Sequence, residues 1–543
     1  MLLAPASARA NTITVNSTSD AAANDGVCTL REAIIAANTN TASGAAAGEC
    51  VAGAPGLDTI AFNIPGSGVQ TIAPASALPA ISEAVFINGY TQGLSTPNTN
   101  ALNAGINAIL LIELNQTSSG GLIVNAAGTT IRGLVLNRGS ANEITANANN
   151  VTIAGNFLGT NPAGTAALPG ASGGLAIRQQ SGNNNVFGGA SVADRNLLSG
   201  DLQGGINVES GDGTTIQGNY IGTDVTGTAA LNSTGSRGGI LVLAATNTVI
   251  FGNLISGNIV GGIDTNQSGI GGGVIQGNLI GTQRDGVSPL PNAGFGGIHL
   301  RANGFVVGGT SAGQGNTVAF NTGWGVTVAA NFSGNSILGN STYSNAQLGI
   351  SLLGLSGTPL ANDACDVDTV PGNLGQNYPV ITSAPIAAGS VTISGTLNST
   401  ASTTFRIEFF SNVTADPSGN GEGQTYLGFA NVTTDASCNA TFGSLVFPVP
   451  PGQTVFSATA TDPANNTSEF SVAFSAGAPP TPTPTPTPTG TPTPTPTPTL
   501  TPGGPTPPPS SEAVPVSTLA PGVLTVFGLA LAMAGFLFLR RNS

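Results

Sequence analysis

Residues 155–170 read GNFLGTNPAGTAALPG, residues 218–233 read GNYIGTDVTGTAALNS, and residues 277–292 read GNLIGTQRDGVSPLPN. In each, a Gly falls eight residues past the leading Asn (Gly164, Gly227, Gly286) and a Leu twelve past it (Leu168, Leu231, Leu290). The copies begin 63 and 59 residues apart. A repeat at this period means one supersecondary unit stacked on copies of itself. The middle of the chain therefore reads as a solenoid, with function to be sought on a long lateral surface.

Working outward, about 300 residues from Leu57 to Leu355 carry short apolar runs broken by Gly and Asn. Examples are Thr59–Phe62, Ala84–Ile87, Ile109–Ile112, Thr130–Val135 and Gly239–Val242. Runs that alternate with period two and are separated by turn residues read as strands. Three short strands in each coil of about 20–25 residues predict a right-handed parallel β-helix. On the order of a dozen coils stacked at about 4.8 Å gives roughly 60 Å. Asn156, Asn196, Asn219, Asn253, Asn278, Asn316 and Asn335 recur near Gly in this pattern. Asn tolerates left-handed backbone, and stacked amides bond from coil to coil, so these are expected to form a structural ladder. The stretches after Gly159, Gly222 and Gly281 are expected to bulge as loops, with Asn161, Asp224 and Gln283 as their first polar positions.

Composition narrows the function classes. The chain has 543 residues, of which 78 are Gly, with 7% charged residues and a net charge of −13. It has no Lys, so its twelve basic residues are all Arg. Without a basic stripe to neutralise phosphates, nucleic acid is not an expected partner. The acidic balance suits an extracellular setting. Cys28, Cys50, Cys365 and Cys438 allow three pairings. Sequence proximity favours Cys28 with Cys50 and Cys365 with Cys438, the alternative being four buried thiols. No Cys/His spacing suits zinc.

At the N-terminus, Ala8-Arg9-Ala10 fits a small-residue cleavage site, so 1–10 reads as the remnant of a signal peptide whose true start lies upstream. In 11–56, GVCTLREAIIAAN (residues 26–38) predicts a helix. Thr29 with Glu32 makes a capping box, and Leu30, Ala33, Ile34 and Ala37 share a face. Such a helix would cover the open strand edges at the end of a solenoid over 57–375.

Past that region the pattern changes. Within 376–476, Phe405, Ile407 and Phe409 alternate, as do Phe456, Ala458 and Ala460, and then Phe470, Val472 and Phe474. Turns at Asp416 and Asp462 separate them. About seven strands in about 100 residues predict an immunoglobulin-like β-sandwich. Residues 477–512 are a Thr/Pro-rich linker of polyproline II character, with O-glycan acceptors among its threonines. In 513–543, VLTVFGLALAMAGFLFL (Val523–Leu539) is followed by Arg540 and Arg541. That span is long enough to cross a bilayer, and its trailing arginines favour a cytoplasmic end.

Several of these segments are familiar. CTLREAI at residues 28–34 is similar to the CSLREA motif near the N-terminus of many bacterial and archaeal exported proteins, with Thr29 in place of the usual Ser. The GNxIGT repeats resemble the right-handed β-helix repeats that often follow that motif. TFRIEFFSN, GEGQTYLG and ATATDPANNTSEFS look like the sandwich that closes such proteins. VPVSTLAPG, the apolar span and Arg-Arg resemble sorting tails of the PEP-CTERM and IPTL-CTERM kind. The resemblance implies an exported protein displayed at the cell surface or outer envelope and held to the membrane by its C-terminal segment.

The β-helix fold also hosts pectin-lyase-like enzymes, so catalytic hardware must be sought. A hydrolase needs paired carboxylates, and a lyase needs calcium carboxylates with a base. The chain has no Asp-Asp pair and one His, His299. Arg178 and Arg301 each lie four residues past the second Gly of a GG pair, with Leu243 at the equivalent place in the middle copy. Arg301, Asp264 and His299 are the catalytic candidates, with Asp285 and Glu209 as further carboxylates. Asp363, Asp366 and Asp368, in NDACDVD, are the candidate ligands of a structural calcium; no other cofactor is implied. The sequence favours a non-enzymatic surface protein, an adhesin, surface-layer or glycan-binding element whose partners are extracellular glycans or surface proteins. The alternative is a polysaccharide lyase or glycoside hydrolase on the same scaffold.

Overall fold

The computed structural model describes residues 10–170, 174–200, 203–231, 237–355 and 359–476, with backbone only for 266–270. The linker expected at 477–512 and the span expected within 513–543 lie outside the described residues, as does nearly all of 1–10. Among the described residues no helix is long and apolar enough to cross a membrane.

The repeat region is a parallel β-helix built on three ladders. The first climbs from Thr12–Val15 through Asp58–Phe62, Val85–Asn88 and Thr130–Arg132, and ends at Ser336–Leu338. The second runs from Leu122–Val124 to Ile350–Ser351. The third is a ten-stranded sheet from Gln70–Ile72 to Ser341–Tyr343. At about 4.8 Å per rung it extends about 43 Å, and the eleven rungs of the first ladder are on the order of the dozen coils expected. The first two ladders merge in one 18-stranded sheet, because Ile263–Gln276 and Gly296–Gly308 run through both without a break.

Alternation explains the stack. Ile13, Ile60, Ile87, Ile131, Ile153 and Phe187 are in register on successive rungs, and the column continues through Ile216, Ile250 and Ile275 to Ile337. All are buried in one continuous core. Each such side chain stabilises the fold by about 1.5–3 kcal/mol. The run expected at Thr130–Val135 divides at Gly133, whose φ of 76° turns the corner between the first and third ladders. The run expected from Ile109 begins as a strand only at Ile112.

The N-terminal helix is Leu30–Thr39. Thr29 Oγ1 accepts from Glu32 N at 3.2 Å, and Glu32 Oε2 accepts from Thr29 N at 3.0 Å. Leu30, Ala33, Ile34 and Ala37 are buried in the core that also holds Ile13 and Ile60 of the first two rungs. Arg31 bonds both oxygens of Asp20 and reaches the carbonyl of Ala77. Every residue of CTLRE therefore has a structural job: Thr29 and Glu32 cap the helix, Leu30 packs it on the stack, Arg31 ties it to Asp20 and Ala77, and Cys28 is bonded to Cys50.

Residues 380–475 form two antiparallel four-stranded sheets. Phe405, Ile407 and Phe409 are buried between them with Phe456, Ala458 and Ala460. The expected alternation of Phe470, Val472 and Phe474 is broken: Phe470 is buried and Val472 is 57% exposed. The reason is that Phe470 turns away from the sandwich. It meets Phe410 edge-on at 5.2 Å, and both belong to the β-helix core. The sandwich thus plugs the last coil, and both modules fall in a single compact unit.

Candidate functional site

Strand alternation gives the β-helix outward-facing columns. On the second ladder one column runs Thr145, Arg178, Asn207, Leu241, Asp264, His299, Thr327 and Ser351. This register revises the expected equivalence of Arg178, Leu243 and Arg301. Arg178 stands in the column of His299, and Arg301 stands two residues further along its strand. The inward aliphatic residue sets the rung: Ile177 aligns with Ile206, Ile240, Ile263 and Ile298. Residues 173–177 read GGLAI where residues 296–298 read GGI, so counting from the glycines shifts the first copy by two.

Asp264, His299 and Arg301 do converge. Arg301 holds Asp264 with two hydrogen bonds, Nε to Oδ1 at 3.1 Å and Nη2 to Oδ2. His299 Nδ1 is 3.7 Å from Asp264 Oδ1, beyond hydrogen-bond reach. The imidazole is buried and lies 5.5 Å from the ring of Phe295. Burial pushes its pKa below the ordinary His value, with Asp264 opposing the effect and Arg301 adding to it. Glu209, another carboxylate on this face, is spent in the same way. Arg178 Nε and Nη2 bond Glu209 Oε1 and Oε2 at 2.9 and 2.8 Å, which raises the arginine pKa. The rung of Leu241 and Leu243 lies between the two pairs. Asp285 is spent on its own loop, where Oδ1 accepts from Ser288 N at 2.9 Å.

The calcium candidates take separate roles at the junction loop. Asp363 Oδ2 accepts from Val367 N at 3.1 Å. Asp366 accepts from Ser399 Oγ, from Gln376 Nε2 at 2.8 Å and from Asn377 N at 3.2 Å. Burial lifts the Asp366 pKa to about 6, against the effect of Ser399. Asp368 stands beside Gly375. Among the described residues no group of three acidic, His or Cys side chains is arranged to hold a metal. Cys365 is bonded to Cys438, which ties this loop to the sandwich.

The Asn ladder exists, with one change of membership. The side-chain amide of Asn156 donates to Asn196 Oδ1 at 3.3 Å, Asn196 to Asn219 at 2.9 Å, and Asn219 to Asn253 at 3.0 Å. Asn253, Asn278 and Asn316 continue to Asn340. Asn335 is not a rung. It precedes the strand Ser336–Leu338, whereas Asn340 follows it, and it bonds Phe305 N and Asn373 instead. A second ladder, absent from the sequence reading, links Asn258, Asn292, Asn321 and Asn345. Asn345 donates in turn to Glu422 of the sandwich at 3.3 Å.

Three sandwich carboxylates close the last coil. Glu422 accepts from Ser344 N at 2.6 Å and Asn345 N at 3.2 Å. Glu469 accepts from Leu352 N and Leu360 N, each at 2.8 Å, and Glu408 accepts from Gly339 N at 2.8 Å. Burial raises all three, Glu422 and Glu469 to about 7. Sequence reasoning misses these residues. The available signal is a lone Glu inside an apolar strand, as in TFRIEFFSN.

The repeat loops lie over the outer face of the third ladder and stack on one another. Val225 N donates to Gly164 O at 2.8 Å, and Arg284 N to Gly227 O at 3.0 Å. Phe157, Leu197, Tyr220 and Leu254 form a second apolar cluster there with Val225. The loops are therefore cover as well as outgrowths.

No family model matches the chain, and no curated relative matches it. Solved structures similar to it include three tailspike chains. The Dettilon tailspike protein is 14% identical over 77% of this chain and 88% of its own, at a TM-score of 0.26. The enzymatically active domain of tailspike protein 2 of bacteriophage CBA120 is 12% identical over 77% and 71%, at 0.27. The full-length tailspike protein 2 of an Escherichia coli O157:H7 bacteriophage is 13% identical over 77% and 64%, at 0.24. At these scores no function is carried across, and the β-helix assignment rests on the strand pairing itself.

Proposed function

We propose that this chain is a rigid, surface-displayed scaffold that acts by binding, in adhesion or glycan contact, and not by turnover. One observation carries the reading: Glu209 and Asp264, the two candidate carboxylates on the outward face of the second ladder, are each clamped by an arginine on a neighbouring rung. Glycoside hydrolysis needs one protonated acid and one free carboxylate about 5–9.5 Å apart. Glu209 and Asp264, each engaged by an arginine, are not left free for that pairing.

The convergence of Asp264, His299 and Arg301 is what favours the alternative of a polysaccharide lyase or hydrolase. Turnover discriminates the two. The full chain is incubated with neutral and acidic polysaccharides, and reducing ends and unsaturated uronate ends are followed. The scaffold reading expects no release above buffer. Release that is lost in Asp264→Asn would overturn it.

Membership of the CSLREA-motif exported proteins belongs to the same proposal, as do a right-handed coil, an immunoglobulin-like ancestry of the sandwich, and anchoring through 513–543. The structural job of each residue in CTLRE supports the motif, and the two disulfides support export to an oxidising compartment. Asp363, Asp366 and Asp368 are read as a polar junction in preference to a calcium site, because backbone and side-chain donors engage Asp363 and Asp366.

A further inference from the structure

A groove of about 240 Å³ lies at the corner between the first and third ladders, where Ala101, Leu102 and the segment 189–195 meet two rungs of the stack. Leu102, Val192, Arg195, Gln217 and Phe251 line it, with Gly252 at its edge. Gly252 has φ 63°, and a side chain there would point into open space. The corner glycine thus leaves the groove unfilled.

Arg195 is the unusual group. It is 4% exposed, yet none of the chain's described carboxylates lies within ion-pair distance of it. Its Nε donates to Gly218 O at 3.0 Å, and Nη1 donates to Asn100 O and Ala101 O at 2.9 and 3.2 Å. The guanidinium carbon sits 5.3 Å from the Tyr220 ring centroid. Dipoles and a π face support the cation, but no negative charge answers it. A buried charge without a counter-charge is costly and selects for an anionic visitor. Two further groups face the same space. Phe251 is 36% exposed, with its ring edge over Gly277. The side-chain amide of Gln217 makes no hydrogen bond among the described residues.

We propose that this groove binds one carboxylated sugar ring, a uronic acid unit of an anionic glycan. Its carboxylate meets the Nη2 side of Arg195, its apolar ring face rests on Phe251, and Gln217 bonds a hydroxyl. The volume is below the roughly 300–1,000 Å³ of pockets that enclose drug-sized ligands, so a single ring of a longer chain is held.

The inference names the ligand class for the binding reading above and rests on it. The full chain is titrated calorimetrically at low salt with a hexamer of galacturonate and with neutral cellohexaose. The acidic hexamer is expected to bind at least about tenfold tighter than the neutral one, and added salt should weaken it. Phe251→Ala and Gln217→Ala should each lose about three- to tenfold in affinity at an unchanged melting temperature. Equal affinity for the two hexamers, no binding of either, or wild-type affinity in both variants would overturn the site. Release of shortened product by the wild type would instead refute the non-catalytic reading and leave the groove standing.

Discussion

Asn219 is wholly buried, and its amide is used on every side. It donates to Phe187 O at 2.9 Å and to Asn253 Oδ1 at 3.0 Å, while its own Oδ1 accepts from Asn196 Nδ2 at 2.9 Å. Asn219→Ala leaves at least two buried groups without partners, at about 1–3 kcal/mol each. Denaturant unfolding should show a loss of roughly 2–5 kcal/mol, against much less for a solvent-facing Asn such as Asn149. Most rungs of this ladder are legible because Gly-Asn recurs: Asn156, Asn219, Asn253, Asn278 and Asn316 each follow a Gly, and Asn196 follows Arg195. Asn335 misleads because GNSILGNST offers Gly-Asn twice, and only the position after the strand is a corner. The second ladder escapes because its members share no dipeptide. Asn258, Asn292, Asn321 and Asn345 are preceded by Gly257, Pro291, Phe320 and Ser344.

At the scale of elements, the N-terminal helix follows from local spacing: cap, box and apolar face all lie within Thr29–Ala37. The sandwich contact does not. Gly339 and Glu408 are 69 residues apart, and Leu352 and Glu469 are 117 apart, so no short window of sequence holds both partners. The register of Arg178 is hidden for a related reason. Glycine pairs mark where the chain bends, whereas core packing of Ile177 decides which rung each side chain joins. Phe470 shows what the junction is worth. It is 3% exposed and completes the β-helix core beside Phe410. Phe470→Ala should destabilise the chain by about 3–5 kcal/mol, measured by denaturant unfolding. Val472→Ala, two residues on and exposed, should change the unfolding midpoint little.

At the scale of the molecule, the junction makes stability depend on pH. Glu422 and Glu469 carry pKa values of about 7 in the folded chain, raised by burial from an ordinary 4.5. Between those values the folded state holds protons that the unfolded state has released. Their contribution to stability is therefore fully present below about 4.5 and is lost as pH rises through about 7. Asp366, raised to about 6, acts in the same sense. His299, lowered by burial, acts in the opposite sense below its usual value, as one group against four, because burial raises Glu408 as well. Thermal unfolding should give a higher midpoint at pH 5 than at pH 8, and Glu422→Gln with Glu469→Gln should flatten the difference. The most direct test of the account is amide hydrogen exchange on the full chain. If the sandwich closes one continuous stack, the amides of Gly339, Ser344 and Leu352 exchange as slowly as those of Asn196, Asn219 and Asn253 in the ladder. Junction amides that exchange orders of magnitude faster than the ladder would contradict it.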